Sequence, residues 1–216
     1  EREGMFETAT TALDWLGVIA FTLTGVLAAS RNQMDVVGFI VLGTVTGIGG
    51  GSLRDLLLGV PVFWVEEPAY LVTCVTVSVI GFFTAHIPQS RYTWLLRLDA
   101  VGLAVFAVAG AEKAADLGAV EVVAIAMGMI TATCGGVVRD LLAGETPVIL
   151  TREVYASAAL AGAIGFLAAE AADLPREVAI GLGFALALLI RGLALRHGWS
   201  LPRYRTRPGR KHDGSS

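Results

Sequence analysis

Two Arg-Asp pairs, Arg54-Asp55 and Arg139-Asp140, stand in otherwise apolar stretches, and each follows a run of glycine. The first stretch reads Gly47-Ile48-Gly49-Gly50-Gly51-Ser52-Leu53-Arg54-Asp55, and the second Thr131-Ala132-Thr133-Cys134-Gly135-Gly136-Val137-Val138-Arg139-Asp140. Ionisable groups inside an apolar span face the protein interior or a wet cavity and mark ion or substrate pathways. Consecutive glycines weaken a helix by about 1 kcal/mol each and permit a turn to unwind. A break there exposes carbonyl oxygens before it, from Thr44 to Ile48, and amide hydrogens after it. The carbonyl end suits a dehydrating cation, while the amide end and Arg54 suit an anion, so the break alone leaves the sign of the ion open. Bare backbone at that depth requires cover by protein or a water-filled cavity. The alternative is close helix packing through Gly43-xxx-Gly47-xxx-Gly51.

Adjacent helical residues point about 100° apart, so Arg54 and Asp55 are not expected to pair fully with each other. Arg54 and Arg139 are expected to latch the kinked helices by reaching freed carbonyls or a carboxylate of the other half, with Asp55 and Asp140 orienting them or facing water. Snorkelling to the nearer interface is the competing reading, and it is the default for Arg191. Asp14 and Asp99 are read as interfacial caps. The hydroxyls of Thr46 and Thr131, beside the breaks, either line a wet path or bond back to their own helices. No metal-ligand spacing, Ser/His arrangement or paired catalytic carboxylate occurs, which places an enzyme last among the readings.

The elements that carry these residues follow from composition. Of 216 residues, 55% are hydrophobic and 16% charged, against about 25% charged in a soluble domain. Mean hydropathy is +0.68. Seven stretches are long enough to approach a hydrocarbon core of about 30 Å: 8–30, 34–58, 68–87, 94–112, 119–143, 153–171 and 176–197. The expectation is an all-α membrane protein, with no cofactor beyond a permeant K⁺ or Na⁺. Placing the basic segment from Arg191 onward inside puts eleven positive residues on the inner side and three, Arg2, Lys113 and Arg176, on the outer. The N-terminus is then outside, the C-terminus cytoplasmic, and residues 198–216 a basic, disordered tail. This position beside an apolar span argues for membrane lipids and against nucleic acid as a partner. All eight Trp and Tyr residues fall near span ends, in keeping with an interfacial belt. Cys74 and Cys134 lie in apolar stretches and form no disulfide framework. The acidic first residues do not read as a signal peptide, so the first span is expected to persist.

A shift of 85 residues aligns the chain with itself. Leu13-Asp14 meets Leu98-Asp99, Gly25 meets Gly110, Gly50-Gly51 meets Gly135-Gly136, and Arg54-Asp55-Leu56-Leu57 meets Arg139-Asp140-Leu141-Leu142. Two three-span repeats, 8–87 and 94–171, are therefore expected, with 176–197 a seventh helix. An odd number of crossings turns the second copy upside down relative to the first, an arrangement that places pathways near the pseudo-twofold axis. Retention of the glycines with the charged pair in both copies favours breaks lining a cavity, with kinks at Gly49, Gly50 and Gly51 and at Cys134, Gly135 and Gly136.

The pairing of a GGGxxRD-type motif, Gly49 to Asp55, with a second glycine-Arg-Asp motif in span five resembles the prokaryotic TRIC family, the trimeric intracellular cation channels. The resemblance covers roughly residues 8–197. It implies a homotrimer with one pore per protomer, glycine-kinked helices two and five around that pore, and passive conduction of monovalent cations, chiefly K⁺, in the inner membrane of a prokaryote. Cys134 replaces the first copy's Gly49, and Val137 its Ser52, so the two linings differ. The phosphoinositide motif of animal members has no match in Ala111-Glu112-Lys113. Relatives also carry the label of glycine transporter, so a secondary transporter of a small amino acid is the alternative function. Small residues in spans six and seven, Ala158-xxx-Gly162, Ala161-xxx-Gly165 and Gly181-Leu182-Gly183, offer close helix contacts within or between protomers.

Overall fold

The computed structural model describes residues 2–87, 90–150 and 154–200, with side chains from residue 13 onward. Expectations for the tail beyond residue 200, and for Arg152, lie outside the described residues.

The chain folds as α1 (Arg2–Arg31), α2 (Val36–Leu58), α3 (Phe63–Glu66), α4 (Ala69–Thr84), α5 (Arg91–Asp116), α6 (Glu121–Leu142), a 3-10 turn at Val148–Leu150, α7 (Ala156–Ala171) and α8 (Arg176–His197). Local chemistry sets the ends. Asp35 opens α2 by accepting a hydrogen bond from the Gly38 N–H at 2.8 Å, and the Ser90 hydroxyl accepts from the Thr93 N–H at the start of α5. Gly59 closes α2 with φ 69°, and Gly144, 85 residues later, follows α6 with φ 70°, a conformation that costs glycine little.

Five helices are long and apolar enough to cross a membrane: α1 from Leu13, α2, α5, α6 and α8. At 16 residues each, α4 and α7 are apolar but reach only about 24 Å. Apolar side chains also face outward along the bundle, among them Val41, Leu57, Val72, Phe83, Val122, Leu141 and Leu189. A soluble fold would bury such a surface, whereas an apolar exterior of this extent suits a lipid environment. The protein is an all-helical, multi-pass membrane protein.

The central helix is α5. Every residue from Gly102 to Glu112 is buried, because α1, α6, α7 and α8 surround it. Several close contacts come in reciprocal pairs across the 85-residue shift. A Cβ at Gly17 would strike the Phe106 ring, and one at Gly102 the Phe21 ring. A Cβ at Gly50 would strike the Thr131 carbonyl oxygen of α6, and one at Gly135 the Thr46 carbonyl oxygen of α2.

These contacts revise the expectation of unwound turns. Both α2 and α6 run as uninterrupted helices through Gly49–Gly51 and Cys134–Gly136. Gly50 and Gly135 serve the packing alternative, letting the backbones of the two helices touch where a methyl group would not fit, while Gly51 and Gly136 make room for the Phe63 ring and the Tyr155 hydroxyl. The small residues of spans six and seven act the same way within the chain: Gly162 faces Ala187, Gly165 faces Leu186, and Gly183 faces the Gly162 carbonyl. Gly181 alone of that set faces open space.

Candidate functional site

Both Arg-Asp pairs are buried, and each forms the adjacent-residue contact that helix geometry seemed to forbid. Arg54 Nε donates to Asp55 Oδ1 at 2.8 Å, and Arg139 Nε donates to Asp140 Oδ1 at 2.8 Å. The long arginine side chain folds back far enough to bridge the 100° between neighbours. The second oxygen of each carboxylate then accepts a backbone N–H eight residues on, from Phe63 at 2.9 Å for Asp55 and from Val148 at 2.9 Å for Asp140. Each aspartate thus ties the last turn of its helix to the chain that leaves it. That connection carries α3 in the first case and the 3-10 turn in the second.

Around Arg139 the site is closed. Its Nη1 donates to Asp99 Oδ1 of α5 at 2.8 Å and to Thr24 Oγ1 of α1 at 2.9 Å, and the side chain is 0% exposed. Tyr155 completes the enclosure, its hydroxyl lying against Gly136, where a Cβ would approach to 2.7 Å. Asp99 is therefore not an interfacial cap. Ser90 caps α5, and Asp99 lies wholly buried more than two turns further along. A charged group at this depth persists because it is paired and hydrogen-bonded. Arg191 is likewise buried rather than snorkelling, with Nη1 donating to the Val154 carbonyl at 3.3 Å and its guanidinium 5.1 Å from the Tyr155 ring centre.

Around Arg54 the site is open. A cavity of about 350 Å³ is lined by Arg54, Asp14, Tyr70, Ala109, Glu112 and Lys113, and reaches the exposed side chains of Glu66, Glu67 and Asp116. Five carboxylates outside the Arg-Asp pair line it, so its electrostatic character is acidic. Lys113, counted by sequence among the outer charges, reaches back to Asp55 Oδ1 at 2.8 Å. Arg176 at the start of α8 closes the rim by bonding to Glu112 at 2.8 Å and to Asp116. Asp14 belongs to this cavity too, far inside α1 rather than at its cap.

Thr46 and Thr131 are fully buried, and their hydroxyls donate to the Leu42 and Met127 carbonyls of their own helices. Gly49 and Cys134 are partly exposed, and a Cβ at Gly49 would meet nothing closer than 4.0 Å. Ser52 accepts from Trp64 Nε1 at 2.8 Å and so holds α3 against α2, a contact that Val137 cannot reproduce. The residues that sequence reasoning missed are Lys113, Glu112 and Tyr155. The equivalence of Asp14 with Asp99 was the available signal for two further members.

The family model described as Glycine transporter matches the chain twice, over residues 11–86 and 96–171. A solved structure of the TRIC trimeric intracellular cation channel orthologue from Rhodobacter sphaeroides is 60% identical, covering 89% of this chain and 100% of that one, with a TM-score of 0.87. The chain belongs to the TRIC family. A second TRIC structure, described under the structural basis for conductance through TRIC cation channels, is 35% identical over 92% of this chain and 98% of its own, with a TM-score of 0.82. The UPF0126 inner membrane protein YadS of Escherichia coli K12 is 42% identical over 195 residues, 89% of this chain and 94% of that protein. These TRIC relatives are channels and membrane proteins, not enzymes, and this TRIC protein is not an enzyme.

Proposed function

We propose that this TRIC protein conducts monovalent cations passively, chiefly K⁺, through one pathway in each protomer of a homotrimer. The observation that carries the reading is the 60% identity to a TRIC cation channel over the whole of that chain. The acidic cavity above Arg54 supports it, since a cleft lined by one sign of charge concentrates the opposite ion. The proposed path leads from this cavity, past the crossing of α2 and α6 at Gly50 and Gly135, to the enclosed Arg139.

Two inverted three-helix repeats with seven crossings remain the architecture proposed for the fold. The reciprocal contacts, Gly17 with Phe106 and Gly102 with Phe21, and Gly50 with Thr131 and Gly135 with Thr46, are what a pseudo-twofold axis would generate. On this reading α4 and α7 cross despite their length, helped by local thinning of the bilayer. The protein sits in a prokaryotic inner membrane with the cavity facing outward and the Arg139 cluster toward the cytoplasm, because Arg31, Arg91, Arg97 and Arg196 lie at the Arg139 end.

Planar-bilayer recording of the purified protein under a KCl gradient tests the function. Discrete current steps reversing near the K⁺ equilibrium potential are expected. Silence at all voltages, with saturable glycine counterflow in liposomes, would replace the channel with the transporter reading.

A further inference from the structure

The open cavity carries more negative charge than a pathway for monovalent ions can use alone. Asp14, Glu66, Glu67, Glu112 and Asp116 line it, and Arg176 offsets only the last two. A potential that concentrates K⁺ about tenfold in such a cleft concentrates a divalent cation about a hundredfold, because the Boltzmann factor is raised to the power of the ion's charge. Left so, the cavity would favour Ca²⁺ or Mg²⁺ over K⁺. Two cations oppose this from its buried side, Arg54 and Lys113. Arg54 is accounted for by its bond to Asp55.

Lys113 has no such structural duty. Its Nζ lies 2.8 Å from Asp55 Oδ1, which already accepts Arg54 Nε at 2.8 Å, while Oδ2 accepts the Phe63 N–H. In the matching cluster 85 residues on, Asp140 is held by Arg139 and by the Val148 N–H, and the counterpart of Lys113 is the buried Ala28. The same tie therefore stands without a lysine. Position on the helix does not explain it either. A cation in the last turn of α5 complements the helix dipole equally well from water, yet this ammonium turns back into the cavity, with its side chain only 34% exposed.

We propose that Lys113 is a specificity-determining residue for conduction, its fixed ammonium letting the cavity accept K⁺ while repelling divalent cations. The inference rests on the conduction reading. Repulsion by a fixed charge doubles for a divalent ion just as attraction does, so one lysine subtracts most from the ion that the carboxylates would otherwise favour. Its hold on Asp55 keeps the ammonium in the cavity when K⁺ enters.

Lys113→Met keeps the length of the side chain and removes the charge. In single-channel recordings in dilute symmetric KCl it should raise K⁺ conductance about threefold, and it should lower the Ca²⁺ concentration that halves the current about tenfold, roughly the square of the first factor. Lys113→Arg keeps the charge and should match the wild type in both. Equal sensitivity to Ca²⁺ in wild type and Lys113→Met would overturn the proposal. So would a loss of K⁺ current in Lys113→Met with Ca²⁺ sensitivity unchanged, since Lys113 would then only brace Asp55. Chemical rescue separates charge from bulk. In a background with Cys74 and Cys134 replaced by serine, Lys113→Cys treated with aminoethyl methanethiosulfonate regains an ammonium on a side chain of nearly lysine length, and wild-type Ca²⁺ sensitivity should return. The neutral methyl reagent should not restore it, and restoration by both reagents would overturn the proposal.

A readout independent of current keeps the two readings apart. Ala109 lines the same cavity, so in that background the ratio of aminoethyl to methyl reaction rates at Ala109→Cys reads the local potential. Adding Lys113→Met should raise the ratio about threefold, matching the factor for K⁺. An unchanged ratio would overturn the proposal. A silent wild type with a raised ratio would instead overturn conduction, and the specificity role with it, while leaving Lys113 as the charge that sets the potential of the cavity.

Discussion

At the scale of single residues, the cost of burying charge decides which members of the site are indispensable. Arg139 has two carboxylate partners and a hydroxyl, all enclosed, so removing Asp99 leaves a buried cation short of a partner. Asp99→Asn should lower stability by about 3 kcal/mol, the range for breaking one side of a buried pair. Asp14→Asn, whose matching carboxylate lines a cavity, should cost under about 1 kcal/mol. Thermal unfolding in detergent would rank the two, and equal losses would show that the Arg54 end is as tightly packed as the other. The equivalence of these aspartates was legible in the sequence, but their role was not. Distance from a predicted span end suggests a cap, whereas α1 and α5 extend beyond the apolar stretches and carry both residues inward. The adjacent-residue pairing was hidden for a similar reason, since backbone directions ignore how far an arginine side chain can bend back.

At the scale of helices, the choice between breaking and packing turns on what each glycine touches. Gly50 and Gly135 meet carbonyl oxygens of the opposing helix, which cannot give way as a flexible side chain would. Gly50→Ala and Gly135→Ala should each cost about 1–3 kcal/mol through overpacking. Gly49→Ala meets nothing closer than 4.0 Å, and should be neutral or stabilise α2 by up to about 1 kcal/mol. An unwound turn at the triplet would predict the opposite order, so the three unfolding temperatures decide the matter. Helix positions themselves were readable from apolar runs: α8 falls at 176–197 as expected, and α2 begins and ends within two residues of its expected range. The short α3 and the 3-10 turn were not readable. Each is held in place by an aspartate that a pattern of hydropathy treats only as an interruption.

For the whole molecule, the distribution of charge between the two ends matters more than the net charge of −3. At the open end, Arg176 is shared by Glu112 and Asp116, and Lys113 and Arg54 converge on Asp55, which leaves Asp14, Glu66 and Glu67 to set the sign of the cavity. Glu66 and Glu67 are exposed on its rim, so they act on an approaching ion through water rather than by contact. Such an influence fades with salt, because the screening length falls from about 10 Å at 0.1 M to about 3 Å at 1 M. The conduction reading therefore makes a graded prediction. Glu66→Gln combined with Glu67→Gln should lower K⁺ conductance about twofold in dilute KCl, where the carboxylates concentrate the ion, and should leave it near the wild-type value at about 1 M. Conductance measured in symmetric KCl across that range is the check. A deficit that persists at high salt would place the two glutamates in the narrow part of the path, and no deficit at low salt would mean that cations do not enter through this cavity.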